Sequence, residues 1–324
     1  MWCWLLCCLL CWWRTLRQKW WSVATAQMSD MGEYYIFFAK KYCRKYGKSE
    51  NNRYLYKRRT MKLETDEMII TDEIRAYLIE MAVNAAVKAG AEIMKIYKNQ
   101  DDYDITVKSD LTPITVADRL AHKKIKEVLG ATRIPILSEE GREMLYEERC
   151  NWELFWLVDP LDGTMEFIKG NNEFTVNIAL MQDNECVGSV VYVPYYRKMY
   201  IGERGHGAHL VAEIEPSFDK VYRYGEFSAT WCALPLESDG RTAPRVALSR
   251  SHQTSETAEC VAALREQHPD LEIVEQGSSY KFCMMAEGAI DYYPRTTATY
   301  EWDTAAGELI LSEAGGKTIS YPDG

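Results

Sequence analysis

Three apolar runs of strand length lie close together at 155–158, 174–181 and 186–193, and they limit the fold more than any other feature of this sequence. The last two are separated by Asp183-Asn184, a turn pair, which makes them neighbours in one sheet. Further strand-like runs fall at 105–108, 134–137, 245–248 and 271–274. Helical periodicity separates them. Thr71 followed by Asp72 and Glu73 is a helix start, with a capping hydroxyl and acids at the positive end of the dipole. Ile74, Leu78, Met81, Ala85, Ala89, Ile93 and Ile96 then recur at helical spacing. A second helix is expected over 115–129, stopped by Gly130, and others over 255–266, 279–287 and 304–313. Hairpins and crossovers occur together, so the class is α/β (α+β) with layered sheets. The stretch 202–240 is the least regular and reads as including a long loop.

Acids stand where these strands end. Glu139 and Glu140 follow one strand; Asp159 closes another and opens Asp159-Pro160-Leu161-Asp162-Gly163-Thr164. Asp118 falls in the first turn of the second helix and Asp303 at the start of the last. Each has an ordinary reading: Asp-Pro and Asp-Gly form turns, acids cap helices, and a Glu pair is often solvated. Together they are an oxygen-donor set, which hard cations such as Mg²⁺ prefer. The five histidines are dispersed with no H-E-x-x-H spacing, which argues against a zinc hydrolase.

Charge divides the chain. Residues 1–62 hold 13 Lys/Arg against 3 Asp/Glu, and the remainder holds 25 against 45, a balance of −20. So acidic a body disfavours nucleic acid as a partner, while a small anionic substrate is admissible once metal ions offset the charge. The cysteines show no disulfide framework, so a reducing cytoplasm is the simpler location. Residues 2–13 are an apolar run of 12 followed by Arg14, Arg17 and Lys19. That is short of the about 20 residues a spanning helix needs, and the charge follows the run where a signal peptide would have it first. The mixture suits peripheral contact with a membrane surface, on the cytoplasmic face of an inner membrane. The favoured reading is that 1–60 is an extension outside the fold, or an upstream artefact with the working start at Met61. A chain of 61–324 is therefore expected to fold and work like the whole.

Five blocks in order, KSDLTPITVAD, ILSEEG, LVDPLDGTMEFIKGNNEFTVNIAL, GSSYKFCMMAEGAIDYYPR and EWDTAAGELILSEAGG, resemble the inositol-monophosphatase superfamily. Within it they are most similar to the CysQ-type 3'(2'),5'-bisphosphate nucleotidases. The resemblance runs from about Ile69 to the C-terminus and implies an αβαβα sugar-phosphatase sandwich. The family usually continues past Gly324, so the 61–324 domain is expected to lack a closing strand or helix. By position, the resemblance implies that Glu139, Asp159, Asp162, Asp303 and the Leu161 carbonyl hold two or three Mg²⁺ ions. Asp118 and Thr164 match positions that orient or deprotonate the attacking water, with Glu139 beside them. The amides of Gly163 and Thr164 would face the phosphate. Ser249, His252, Ser278 and Lys281 match nucleotide-contacting positions, with Lys281 offering a point charge to the second phosphate.

The activity so implied is Mg²⁺-dependent, Li⁺-inhibited removal of the 3'-phosphate from adenosine 3',5'-bisphosphate, in sulfur metabolism. The sulfated analogue 3'-phosphoadenylyl sulfate is a second expected substrate. An inositol-monophosphate or sugar-phosphate phosphatase on the same scaffold is the alternative, and a noncatalytic membrane-surface scaffold is a third reading. Oligomeric state is not legible in the sequence.

Overall fold

A computed structural model describes residues 35–39, 70–99, 103, 105–107, 113–251 and 253–321. In chain order the elements begin with β1 (Tyr35–Ala39), α1 (Asp72–Tyr97), β2 (Thr106–Val107), β3 (Pro113–Ile114), α2 (Val116–Leu129), β4 (Ile136–Ser138) and α3 (Tyr146–Arg149). The middle holds β5 (Leu154–Asp162), α4 (Thr164–Lys169), β6 (Thr175–Gln182), β7 (Glu185–Val193), β8 (Lys198–Glu203), β9 (Gly207–Val211), α5 (Tyr224–Phe227) and β10 (Cys232–Ala233). The last part holds β11 (Arg245–Ser249), α6 (Ser255–Gln267), β12 (Glu272–Gln276), α7 (Tyr280–Ala286), β13 (Tyr292–Arg295), α8 (Glu301–Glu313) and β14 (Lys317–Tyr321).

Local chemistry accounts for the starts. The Thr71 hydroxyl accepts from the Ile74 N–H at 3.3 Å and opens α1, and Thr115 opens α2 in a reciprocal capping box with Asp118. Asp183 and Asn184 both take positive φ, 51° and 66°, the backbone that a two-residue hairpin requires between β6 and β7.

A seven-stranded sheet runs β10-β9-β8-β7-β6-β5-β4. Its central strands are buried on both faces. Trp156, Val158, Ile178, Leu180, Val190 and Tyr192 pack under α1 and α2, while Phe155, Leu157, Ala179, Met181, Val191 and Tyr200 pack against α7 and α8. Alternation along a strand thus serves two cores. On the far side of α7 and α8, Phe282, Met285 and Leu311 meet Ala247 and Tyr293 of a second sheet. That sheet is covered in turn by Val261 and Leu264 of α6. The order is helix, sheet, helix, sheet, helix, the αβαβα sandwich.

The second sheet has five strands in the order β12-β11-β13-β1-β14, all parallel. β1 falls within 1–60, the stretch expected to lie outside the fold; the rest of that stretch lies outside the described residues. Tyr35–Ala39 pairs with β13 on one side and β14 on the other. Its sequence, YIFFA, is aromatic and β-branched, the composition of a strand. Without β1 the facing N–H and C=O groups of β13 and β14 would have no ladder partner. The stretch 202–240 holds the β8–β9 hairpin and β10, which adds to it, with an irregular stretch over 212–223 as expected. The first short strand is Thr106–Val107, with residue 108 outside the described residues. Among the described residues no helix is long and apolar enough to cross a membrane.

Candidate active site

The acidic hexamer lies where β5 leaves the ladder. The strand does not stop at Val158; it runs through Asp162, with a register shift against β6 between Asp159 and Asp162. Pro160 has no N–H for the ladder, so a bulge is the expected solution. Leu161 is 1 % exposed and sinks into the core beneath α1 and α2. That anchor fixes its backbone: the Leu161 N–H donates to Asp159 Oδ1 at 3.0 Å, and its carbonyl accepts from Thr164 Oγ1 at 3.3 Å. Gly163 then takes φ +89°, and a Cβ there would meet the Glu173 carbonyl oxygen at 2.9 Å and Ser278 Cβ at 3.1 Å. Only glycine fits.

Asp118, the third residue of α2, is buried. Its Oδ2 accepts from the Thr115 N–H at 2.7 Å and from Thr115 Oγ1 at 2.6 Å. Its Oδ1 accepts from Thr164 Oγ1 at 3.1 Å, joining α2 to the start of α4. Burial pushes the Asp118 carboxyl above its ordinary range, and the hydrogen bonds from Thr115 and Thr164 pull it partly back.

The other acids arrive from three elements. The Glu139 N–H, just after β4, donates to the Val158 carbonyl at 3.1 Å, which sets Glu139 beside Asp159. Asp159 is buried and driven well above the ordinary carboxylate range, by burial first and then by the charges of Glu139, Asp162 and Asp303. Asp162 accepts from the Ser279 N–H. Asp303 accepts from the Tyr300 N–H at 3.0 Å. Burial, with Asp162 next, pushes Asp303 up to about 7, against the pull of the Tyr300 N–H and Arg295.

The donor set fits a hard divalent cation: it is all oxygen, Asp159 is buried, and Asp159 and Asp303 are raised by burial and by the charges around them. Among the described residues, however, no three Asp, Glu, His or Cys side chains are gathered as a metal ion would need. The two observations agree once each carboxylate's present partner is considered. Asp159, Asp162 and Asp303 are turned towards the N–H groups of Leu161, Ser279 and Tyr300, yet they remain close enough for Asp162 to raise Asp159 and Asp303.

The expected nucleotide contacts divide. Ser249 ends β11 and is buried. Ser278 takes φ +52°, and its Oγ accepts from the Tyr280 N–H at 3.2 Å. His252 lies outside the described residues. Lys281 is buried rather than presented at a surface. It is 1 % exposed, donates to the Gln276 carbonyl at 3.0 Å and the Ser278 carbonyl at 2.7 Å, and lies 5.0 Å from the centre of the Tyr293 ring. Two carbonyls and a ring face replace the water a buried ammonium loses. Its position holds the Gly277-Ser278 turn.

Several residues at the site were not legible beforehand. Thr115 could have been found from its T-x-x-D spacing to Asp118. Ser279 holds Asp162 through its N–H, and its hydroxyl donates to Asn177 Oδ1 at 2.7 Å. Arg295 is held above the usual guanidinium range: burial alone would lower it, and Tyr293, Asp303 and Asp162 outweigh that. Glu173 and Arg250 form an ion pair at 2.7 Å near the same turns.

Fold and site together define a phosphatase that hydrolyses phosphate monoesters. The chain belongs to the inositol monophosphatase family, whose model matches residues 75–323. The 3'(2'),5'-bisphosphate nucleotidase CysQ of Salmonella typhimurium is 39% identical over 255 residues, 75% of this chain and 94% of that protein. The CysQ of Escherichia coli K12 is 37% identical over the same shares. The crystal structure of CysQ from Bacteroides thetaiotaomicron, 42% identical, matches with a TM-score of 0.67 over 74% of this chain and 87% of that one. The suhB protein of Bartonella henselae, 26% identical, matches with a TM-score of 0.58 over 74% and 89%.

Proposed function

We propose that this chain is a Mg²⁺-dependent 3'(2'),5'-bisphosphate nucleotidase that converts adenosine 3',5'-bisphosphate to AMP and phosphate. By the same reading, 3'-phosphoadenylyl sulfate is a further substrate. The observation that carries the chemistry is the Thr164 hydroxyl held between Asp118 Oδ1 and the Leu161 carbonyl, beside the raised carboxyls of Asp159 and Asp303. The relatives named CysQ support the choice of substrate. The family is generally metal dependent, usually on Mg²⁺. Glu139, Asp159, Asp162, Asp303 and the Leu161 carbonyl would hold two or three ions. When bound, Mg²⁺ supplies charge neutralisation and Lewis acidity.

The chain's own part is proton handling and orientation. Hydrolysis forms one P–O bond from water and breaks the bond from phosphorus to the ribose 3' oxygen; water loses a proton and the 3' oxygen gains one. Thr164 Oγ1 carries a single proton, which Asp118 and the Leu161 carbonyl compete for. Its lone pairs are therefore turned to accept from a water, and Asp118 is the acceptor onto which a proton can pass. The raised Asp118 carboxyl is a better base than an ordinary aspartate. Ser249 and Ser278 flank the nucleotide, and Lys281 supports the Ser278 turn through the Gln276 and Ser278 carbonyls. The catalytic unit in this reading runs from α1 to β14 and includes β1. A cytoplasmic location accords with the free state of Cys150, Cys186, Cys232, Cys260 and Cys283.

The test is phosphate release by the purified full chain from adenosine 3',5'-bisphosphate and from inositol 1-phosphate, with Mg²⁺ and with excess EDTA. Preferred turnover of the nucleotide, AMP as product and loss in EDTA are expected. Preferred turnover of inositol 1-phosphate would move the chain to the alternative activity.

A further inference from the structure

Two turns bring the second sheet to the acid cluster: Ser249-Arg250-Ser251 after β11, and Gln276-Gly277-Ser278-Ser279 after β12. Both are held by one side chain that belongs to the first sheet's side. Glu173, just before β6, is 10 % exposed at its side chain. Its Oε1 accepts from Arg250 Nη2 at 2.7 Å, and its Oε2 accepts from Arg250 Nε at 3.1 Å and from the Gly277 N–H at 2.8 Å. Arg250 donates onward to the Glu275 carbonyl at 2.8 Å and to Glu275 Oε2 at 3.3 Å. The fork of a guanidinium onto both carboxylate oxygens fixes direction as well as distance.

The packing around this pair is tight. A Cβ on Gly277 would lie 2.3 Å from Glu166 Cγ, so the turn is seated directly on α4. Ser251 Oγ donates to Glu166 Oε1 at 2.7 Å and accepts from Lys169 Nζ at 3.3 Å, a second tie from the first turn to the same helix. The carbonyl of Glu173 also lies against Gly163 of the acidic hexamer. Glu173 therefore stands where the reacting phosphate's side and the nucleotide's side of the site meet.

We infer that Glu173 and Arg250 are positioning residues that fix the spacing between the acid cluster and the Ser249 and Ser278 turns, and so set selectivity for a bisphosphate nucleotide over a small phosphate monoester. The inference rests on the nucleotidase reading. Asp162 is buffered from the pair, because Ser279, which holds it, is fastened separately by Asn177 and Thr175. Loosening the pair should weaken capture of the nucleotide and leave the chemistry at the acids in place.

The experiment compares adenosine 3',5'-bisphosphate with glycerol 2-phosphate, which has neither base nor second phosphate, on the full chain with Mg²⁺. Glu173→Gln keeps the size and an acceptor for Gly277 but removes the charge. Its KM for the bisphosphate should rise about tenfold, the loss expected for one charge-assisted hydrogen bond. Its kcat should stay within about threefold, and KM for glycerol 2-phosphate within about twofold. Arg250→Lys, at a partly exposed position, should give the same pattern more weakly, since a point charge cannot fork both oxygens. It supplies the readout should Glu173→Gln fail to fold. Equal losses on both esters, or a fall in kcat alone, would overturn the positioning role. Failure of the unaltered chain to hydrolyse the bisphosphate would reject the nucleotidase reading and this role with it. Normal turnover with unshifted variants would reject the positioning role alone.

Discussion

The two sheets are made of the same kinds of residue but are assembled in opposite ways. In the seven-stranded sheet each strand from β4 to β10 lies beside its neighbour in sequence, mostly through hairpins. In the five-stranded sheet every pairing is parallel, and its strands come from Tyr35–Ala39 and from residues 245–321. The site divides along the same line. Glu139, Asp159, Asp162 and Thr164 stand on or beside β4 and β5, while Ser249 and Ser278 follow strands of the second sheet. On the proposed reading, most of the chemistry is attached to the locally built sheet and recognition to the one assembled from distant segments, with Asp303 of α8 the exception.

The sharpest way to break that division is Thr164→Val. It removes the hydroxyl between Asp118 and Leu161 without changing the shape of the side chain much. On the proposed mechanism kcat should fall on the order of 10²–10⁴-fold for a nucleotide and for glycerol 2-phosphate alike. The thermal midpoint should barely move. A loss confined to the nucleotide would assign Thr164 to recognition.

Removing β1 tests the other half. A chain of 61–324 leaves β13 and β14 without their shared neighbour, whereas a chain beginning at Met31 keeps Tyr35–Ala39. The shorter chain should melt about 10 °C lower, the shift that accompanies a loss of roughly 3–4 kcal/mol in a domain of this size. The longer should match the full chain. Equal midpoints in a thermal melt would return 1–60 to the role of a dispensable extension.

Lys281→Met asks whether a buried cation in the second half is structural. The Gln276 and Ser278 carbonyls would each lose a charged donor. Stability should fall by about 1–3 kcal/mol in urea titration, with KM for the nucleotide rising as the turn loosens. An unchanged midpoint accompanied by lost nucleotide affinity would restore Lys281 as a direct contact.

The smallest effect concerns His122, whose Nδ1 lies 2.9 Å from Ser138 Oγ at the end of β4. Burial, helped by Lys126, holds this imidazole below its ordinary value. The unfolded chain therefore binds a proton there more readily than the folded one. Stability from this group is complete above the unfolded pKa of about 6.5 and declines as pH falls below it, levelling off under the depressed folded value. His122→Gln should flatten the fall in thermal midpoint between about pH 7 and pH 5. An identical slope in both proteins would remove His122 from the acid response.

The same contrast explains what the sequence could and could not disclose. The hairpin at Asp183-Asn184, the caps at Thr71 and Thr115, and the strand leading to Asp159 are all written within a few residues of one another. Periodicity and turn chemistry read that range well. The extension of β5 through Pro160 escaped because a proline usually ends a strand, and here a bulge accommodates it. Nothing near Glu173 announces Arg250, 77 residues away. The burial of Lys281 escaped because its two carbonyl partners and the Tyr293 ring are defined only by the folded turn. β1 escaped for a related reason: a short aromatic run in a basic leader resembles an extension until β13 and β14 exist to receive it.

The place of β1 between β13 and β14 has a consequence for how the protein is made. Tyr35–Ala39 leaves the ribosome early, but its partners begin at Tyr292 and Lys317. At roughly 5–20 residues per second, translation spends on the order of 10–50 s between them. Throughout that interval the seven-stranded sheet can form while β1 has nowhere to go, and an unpaired aromatic strand invites the wrong neighbour. Asp303, the last of the acids, emerges in the same closing stretch. A nascent chain therefore gains its final carboxylate and its last sheet at nearly the same moment, so a prematurely terminated product should be both unstable and inert rather than a stable, half-active enzyme.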